Sequence, residues 1–204
     1  MGHLMPSVTE CRLLLRSVAA GPGLLGHLEL VARTAGELAV LCRIDKAECL
    51  ACALLHDVGR APLAVELAAS LTGRPRPVLA AMDHAELGAF LLEAAGDPLR
   101  QLAGVVGRHA LGSVLGPAPP VSPVEQVVFT ADKLVGRTWL GFSGRMRDLE
   151  RRYGHEYDIR LCIPGAETIL RQLAGMACLS TRQLEALVAG AVTGAVTIKP
   201  FTAL

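Results

Sequence analysis

The sequence predicts an all-α protein, on three observations. Hydrophobic residues make up 51% of the chain and aromatics only 3%, so a core must be assembled from Leu, Ala and Val, a mixture that favours packed helices over sheets. Helix-start signatures recur along the chain. Between them, apolar residues return every three or four positions, and strand-type alternation is scarce.

In chain order, the first stripe is Leu28, Val31, Ala35, Leu38 and Ala39, beginning near His27 after a turn at Gly21-Pro22-Gly23. Asp45 and Glu48 form a capping box ahead of Leu50, Ala51, Leu54 and Leu55, with Gly59 as the stop. After a Gly/Pro loop at 73–77, Asp83 and Glu86 form a second box before Leu87, Leu91 and Leu92. Asp97-Pro98 reads as an N-cap acid with proline at the first helical position. Residues 112–120 form a Gly/Pro-rich loop expected, with 73–77, to wall a pocket. Ser122-Pro123 and Glu125 start a helix through Val128, Ala131 and Asp132. Further helices are expected after Pro164 and after Ser180 or Thr181, and Lys199-Pro200-Phe201 reads as a tail. Arg145, Arg147, Arg151 and Arg152 alternate with Asp148 and Glu150, the pattern of a solvated helix face. No internal repeat is visible.

The charge balance, 20 basic against 19 acidic residues with a net charge of +1, provides no global field for nucleic acid or a membrane surface. Mean hydropathy is +0.42, yet the most apolar stretch, 184–198, is short of the roughly 20 residues a bilayer helix requires. No basic-then-apolar leader opens the chain, so a cytoplasmic protein without membrane partners is expected. The six cysteines lack the spacing of a disulfide scaffold. Cys49 and Cys52 form a C-x-x-C inside a Leu/Ala helix, with no second pair to complete a zinc site.

Chemistry concentrates in one ordered set: His27, His56-Asp57, His84, His109 and Asp132. Each gap is about one helix plus a turn, so antiparallel helices can gather these side chains at one place in a bundle. Imidazoles and carboxylates together suit Fe, Mn, Mg, Co, Ni or Zn and hydrolytic chemistry. Adjacent His56 and Asp57 point about 100° apart on a helix, so His56 can serve one ion while Asp57 bridges two. His3 and His155 have no place in the set, and Asp45 and Asp83 read as caps.

The order H…HD…D, met by His27, His56-Asp57 and Asp132, resembles the HD superfamily of metal-dependent phosphohydrolases. The local text agrees at Gly26-His27, at Ala53 to Arg60 through the His56-Asp57 pair, and at Ala131-Asp132-Lys133-Leu134. The resemblance covers residues 24–137 and implies a helical bundle with the metal site between helices. It divides the chain into a helical core, 1–140, opened by an N-terminal helical extension, and a C-terminal helical extension, 141–204, packed on it. His84 and His109 are similar to the extra ligands of two-metal members. His109-Ala110-Leu111-Gly112 resembles the small members that split diadenosine tetraphosphate symmetrically. The cyclic-dinucleotide phosphodiesterase branch instead has two adjacent histidines, where this chain has Arg108-His109.

The implied activity is hydrolysis of a phosphoester or phosphoanhydride bond of a nucleotide-like small molecule by metal-activated hydroxide. One or two divalent ions would be held by His27, His56, Asp57, His84, His109 and Asp132, with Asp57 bridging. Arg60 would brace the phosphoryl group, and Lys133 and Arg137 would contact a polyphosphate. The alternative is a non-catalytic module that binds metal or nucleotide as a regulatory scaffold; a structural zinc protein fits less well with so many donors. The helix after Thr181 packs on the domain or covers a partner, leaving a homodimer open.

Overall fold

In the computed structural model, which describes residues 5–155 and 158–194, eleven α-helices and three 3₁₀ turns follow one another. Among these residues the only extended pairing is an isolated bridge between Val135 and Trp139. His3, residues 195–198 and the Lys199-Pro200-Phe201 tail lie outside the described residues. No described helix is long and apolar enough to cross a membrane.

Helix α1 (Val8–Ser17) starts at a full capping box between Ser7 and Glu10. Helix α2 (Pro22–Cys42) starts a turn before the apolar stripe does, because Gly21 is its N-cap and Pro22 its first residue. Gly21-Pro22-Gly23 is therefore a helix start, and His27 lies well inside α2. Helix α3 (Lys46–Leu55) is capped by Asp45, whose carboxylate accepts from Glu48 N–H. It ends at His56, and a 3₁₀ turn, Val58–Arg60, follows directly. After α4 (Ala64–Thr72) and α5 (Arg76–Ala80), helix α6 (His84–Ala95) begins on Asp83, which accepts from the N–H groups of Ala85 and Glu86.

The Asp97-Pro98 start is displaced: Pro98 precedes a 3₁₀ turn at Leu99–Leu102, and α7 (Ala103–Gly107) comes only after it. A third 3₁₀ turn, Leu111–Leu115, leads to α8 (Pro123–Asp132), which has the predicted Ser122–Glu125 box. Helices α9 (Gly141–Tyr153), α10 (Ile159–Met176) and α11 (Thr181–Gly194) complete the chain. Helix α10 begins before Pro164, not after it. Asp158 caps its first turn, and the buried stripe of Ile159, Cys162, Ala166, Ile169 and Leu173 outweighs the single backbone hydrogen bond that the proline removes.

From Val124 to Asp132, every residue of α8 is buried. The helix lies at the centre, against α2, α3, α7 and α10. Leu28, Leu38, Leu55, Leu91, Phe129, Leu134, Ile159 and Leu173 belong to one continuous apolar cluster, which α9, α10 and α11 also join. The α6 N-terminus is fixed by a close backbone approach. A Cβ on Gly59 would lie 2.1 Å from the His84 carbonyl oxygen and 2.8 Å from the Gly88 nitrogen. Only a glycine lets α6 approach the 58–60 turn, and that approach brings His84 beside Asp57.

Gly59→Ala is therefore expected to cost about 1–3 kcal/mol through overpacking. Gly26→Ala, on an exposed stretch of α2 with open space around its Cβ, is expected to gain about 0.5–1 kcal/mol. Urea denaturation of the two variants checks both signs.

Candidate metal centre

Each of the six predicted side chains comes from a helix or its edge. His27 is in the second turn of α2, His56 caps α3, Asp57 follows it, His84 opens α6, His109 follows α7 and Asp132 ends α8. The structure brings all six together.

Three of the imidazoles are oriented by backbone carbonyls. Nδ1 of His27 lies 3.0 Å from Gly136 O, Nδ1 of His56 2.7 Å from Ala53 O, and Nδ1 of His109 2.6 Å from Val106 O. A carbonyl oxygen only accepts, so in each ring Nδ1 carries the proton and donates it. In the neutral ring, Nε2 is then left with a lone pair, the arrangement that metal-binding histidines use.

The lone pairs converge on carboxylates, which also only accept. His27 Nε2 is 3.2 Å from Asp132 Oδ1 and 3.9 Å from Asp57 Oδ2. His56 Nε2 is 3.8 Å from both of those oxygens. It is fully buried and has no hydrogen-bond partner. On the other side of the same carboxylate, Asp57 Oδ1 is 3.4 Å from His84 Nε2 and 3.2 Å from His109 Nε2. One oxygen of Asp57 thus faces His27 and His56, and the other faces His84 and His109. In each trio the donor atoms lie within 4.8 Å of one another. Four imidazole nitrogens thus face two carboxylates, and the buried Nε2 of His56 has no hydrogen-bond partner, so the donor set fits one or two divalent ions, with Asp57 placed to bridge.

Protonation states agree. Burial drives the His56 imidazole down to about 3 and the His84 imidazole to about 4, despite the nearby Asp57. Both rings are neutral near pH 7. Burial opposes the charged form of His27 too, but the hydrogen bond and charge of Asp132 prevail and raise it. Burial also opposes the Asp57 and Asp132 carboxylates. His56, His109 and Arg60 around the first, and Lys133, His27, His56 and Arg145 around the second, hold both well below the usual carboxylate range.

Arg60 donates from Nε to Asp57 Oδ1 at 2.8 Å, and its Nη2 lies 3.0 Å from His84 Nε2. Lys133, expected at a substrate polyphosphate, is buried: its ammonium donates to Asp132 and to His109 O. Arg137 is exposed and, with Arg60 and Lys133, lines a cavity of about 760 Å³ over the centre.

Two expectations are corrected. Arg145 is not on a solvated face: its side chain is 7% exposed and donates to Asp132 O at 3.2 Å, Asp132 Oδ1 at 3.3 Å and Asp148 Oδ2 at 2.9 Å. The signal was its place among Phe142, Met146 and Leu149, the apolar side of α9, where an arginine must find an anion. Residues 73–77 do not line the cavity. Helices α9 and α10 line it instead, through Leu149, Arg152, Tyr153, Leu161 and Cys162, together with Leu115 of the third 3₁₀ turn. Cys49 and Cys52 are buried thiols, pushed up to about 12 and well above the ordinary value respectively, chiefly by burial. Neither belongs to a metal-binding group among the described residues.

Residues 24–136 match the profile described as HD domain, more than half of the chain. Comparisons with curated proteins and with solved structures returned no match.

Ion binding is expected to be proton-linked through His27. Its raised pKa means a proton holds Nε2 at mildly acidic pH, and an incoming ion must displace it. Affinity for Mn²⁺ is therefore expected to fall by about tenfold per pH unit below that pKa and to level off above it. His56 and His84, already neutral there, add nothing to the slope. Calorimetric titrations across pH 5.5 to about 8 measure it.

Proposed function

Because the chain belongs to the HD-domain family, we propose that it is a metal-dependent phosphohydrolase that cleaves a phosphoester or phosphoanhydride bond of a nucleotide-like substrate. The observation that supports this reading is the set of imidazole nitrogens trained on Asp57 and Asp132 at the floor of a cavity that Arg60 and Arg137 also line.

His27, His56 and Asp132 would hold one divalent ion and His84 and His109 a second, with Asp57 shared between them. When bound, such ions lower the pKa of water from about 15.7 toward about 7 and neutralise phosphoryl oxygens. The chain's own residues do the rest. Asp57, kept ionised by its surroundings, supplies the negative charge that both positions use. Arg60 and Arg137 face the cavity and can pair with phosphate oxygens, the fork of Arg60 in bidentate fashion. Lys133 and Arg145 each hold one oxygen of Asp132, so it does not turn when substrate enters.

The finer substrate reading is a dinucleoside polyphosphate such as diadenosine tetraphosphate. Supporting it are the cavity volume, in the upper part of the range of about 300–1,000 Å³ for small-molecule sites, the apolar wall of Leu115, Leu149, Tyr153 and Leu161 suited to nucleoside faces, and the His109 to Gly112 segment. A single nucleotide phosphomonoester is the second choice.

The test is turnover of p-nitrophenyl phosphate, AMP and diadenosine tetraphosphate by protein reloaded with Mn²⁺. Asp57→Asn preserves shape and removes the shared charge, and kcat/KM is expected to fall by about 10³-fold or more. Unchanged turnover in Asp57→Asn overturns the site. Ion or nucleotide binding without turnover under any divalent ion favours the regulatory scaffold.

A further inference from the structure

An arginine spans two donor atoms of the trio of Asp57, His84 and His109, and none spans the trio of His27, His56 and Asp57. Arg60 Nε is 2.8 Å from Asp57 Oδ1 and Nη2 is 3.0 Å from His84 Nε2. These are two of the three donor atoms in the trio of Asp57, His84 and His109. A guanidinium has donors only and does not lose its proton, so it occupies these acceptors as a permanent positive charge. Asp57 Oδ2, the oxygen facing His27 and His56, accepts no hydrogen bond from Arg60, and His56 Nε2 has no hydrogen-bond partner.

We propose that Arg60 is the resident cation of the second position and makes the two ions bind in sequence. This rests on the metal-centre reading above. The first ion enters against His27, His56 and Asp57 Oδ2, none of which is hydrogen-bonded to an arginine or lysine, while Lys133 and Arg145 stay on Asp132 and only the His27 proton leaves. The second binds at Asp57, His84 and His109 only when the guanidinium swings away. The geometry allows that motion. Gly59 is locked against α6, so the backbone of the 58–60 turn stays in place, while the Arg60 side chain is 41% exposed on the cavity side. Leaving the trio sends its charge into the cavity, where a substrate phosphate can receive it. Occupancy of the second position and readiness of Arg60 for substrate are thereby linked.

The experiment is calorimetric titration of metal-stripped protein with Mn²⁺, comparing wild type, Arg60→Met and Arg60→Lys, each checked for helicity by circular dichroism. Wild type is expected to bind one ion tightly and a second more weakly. Arg60→Met, which keeps the bulk and removes the charge, is expected to tighten the second ion by about tenfold, since its position no longer waits for a minor conformer. The first affinity is expected to stay within about twofold. Arg60→Lys, a point charge unable to span both acceptors, is expected to fall between, and it decides the matter if Arg60→Met does not fold. Equal affinities in wild type, or a second ion unchanged or weakened in the variants, overturns the proposal and leaves the metal centre standing. No uptake by wild type at either position overturns both.

Discussion

The structure depends on three hydrogen bonds that never touch a ligand. Gly136, Ala53 and Val106 each accept the Nδ1 proton of a histidine with a backbone carbonyl, and that choice of tautomer decides where the other nitrogen's lone pair points. All three point at Asp57 or Asp132. In water such rings would tumble and carry protons on either nitrogen. Here the rings are buried or nearly so, and burial removes the solvent that would otherwise satisfy them. The buried Nε2 of His56, left without a hydrogen-bond partner in the middle of a protein, is compatible with a divalent ion between it and the carboxylates.

The fold exists to bring helix ends to one place. The central helix α8 terminates at Asp132, α3 at His56-Asp57, and α6 begins at His84. Helix ends are where side chains can turn toward a shared point and where the backbone carries unspent hydrogen-bonding groups. Asp83 and Ser122 cap the starts of α6 and α8, so those starts do not compete for the ligands. Gly59 brings α6 within reach of the 58–60 turn. From outside the matched segment, α9 contributes Arg145 to Asp132, and α9 and α10 line the cavity. The C-terminal helices thus complete the site.

Much of this was legible in the residues. Capping signatures are local chemistry, so Asp45, Asp83 and Ser122 marked true helix starts. The ordered histidines and aspartates, spaced one helix apart, named the six side chains that converge. What stayed hidden was decided by packing between distant parts of the chain. Arg145 read as one of a run of solvated arginines because periodicity was outweighed by charge pattern; its anion lies on another helix. Lys133 lines the cavity as its place after Asp132 suggests, but that its ammonium is held by Asp132 and His109 O depends on the turn after α8. Pro164 read as a boundary because its local cost is visible, whereas the apolar stripe that overrides it matters only once the core exists. The cavity wall from Leu149 to Cys162 had no motif at all.

The central claim is that a cation belongs where the lone pairs meet. Crystals of the protein grown with Mn²⁺ and measured for anomalous scattering examine this directly. The account predicts a strong peak at about 2.0–2.3 Å from Nε2 of His27 and His56 and from oxygens of Asp57 and Asp132. Density for water alone at that point, with the histidines protonated and paired to the carboxylates as salt bridges, would contradict it.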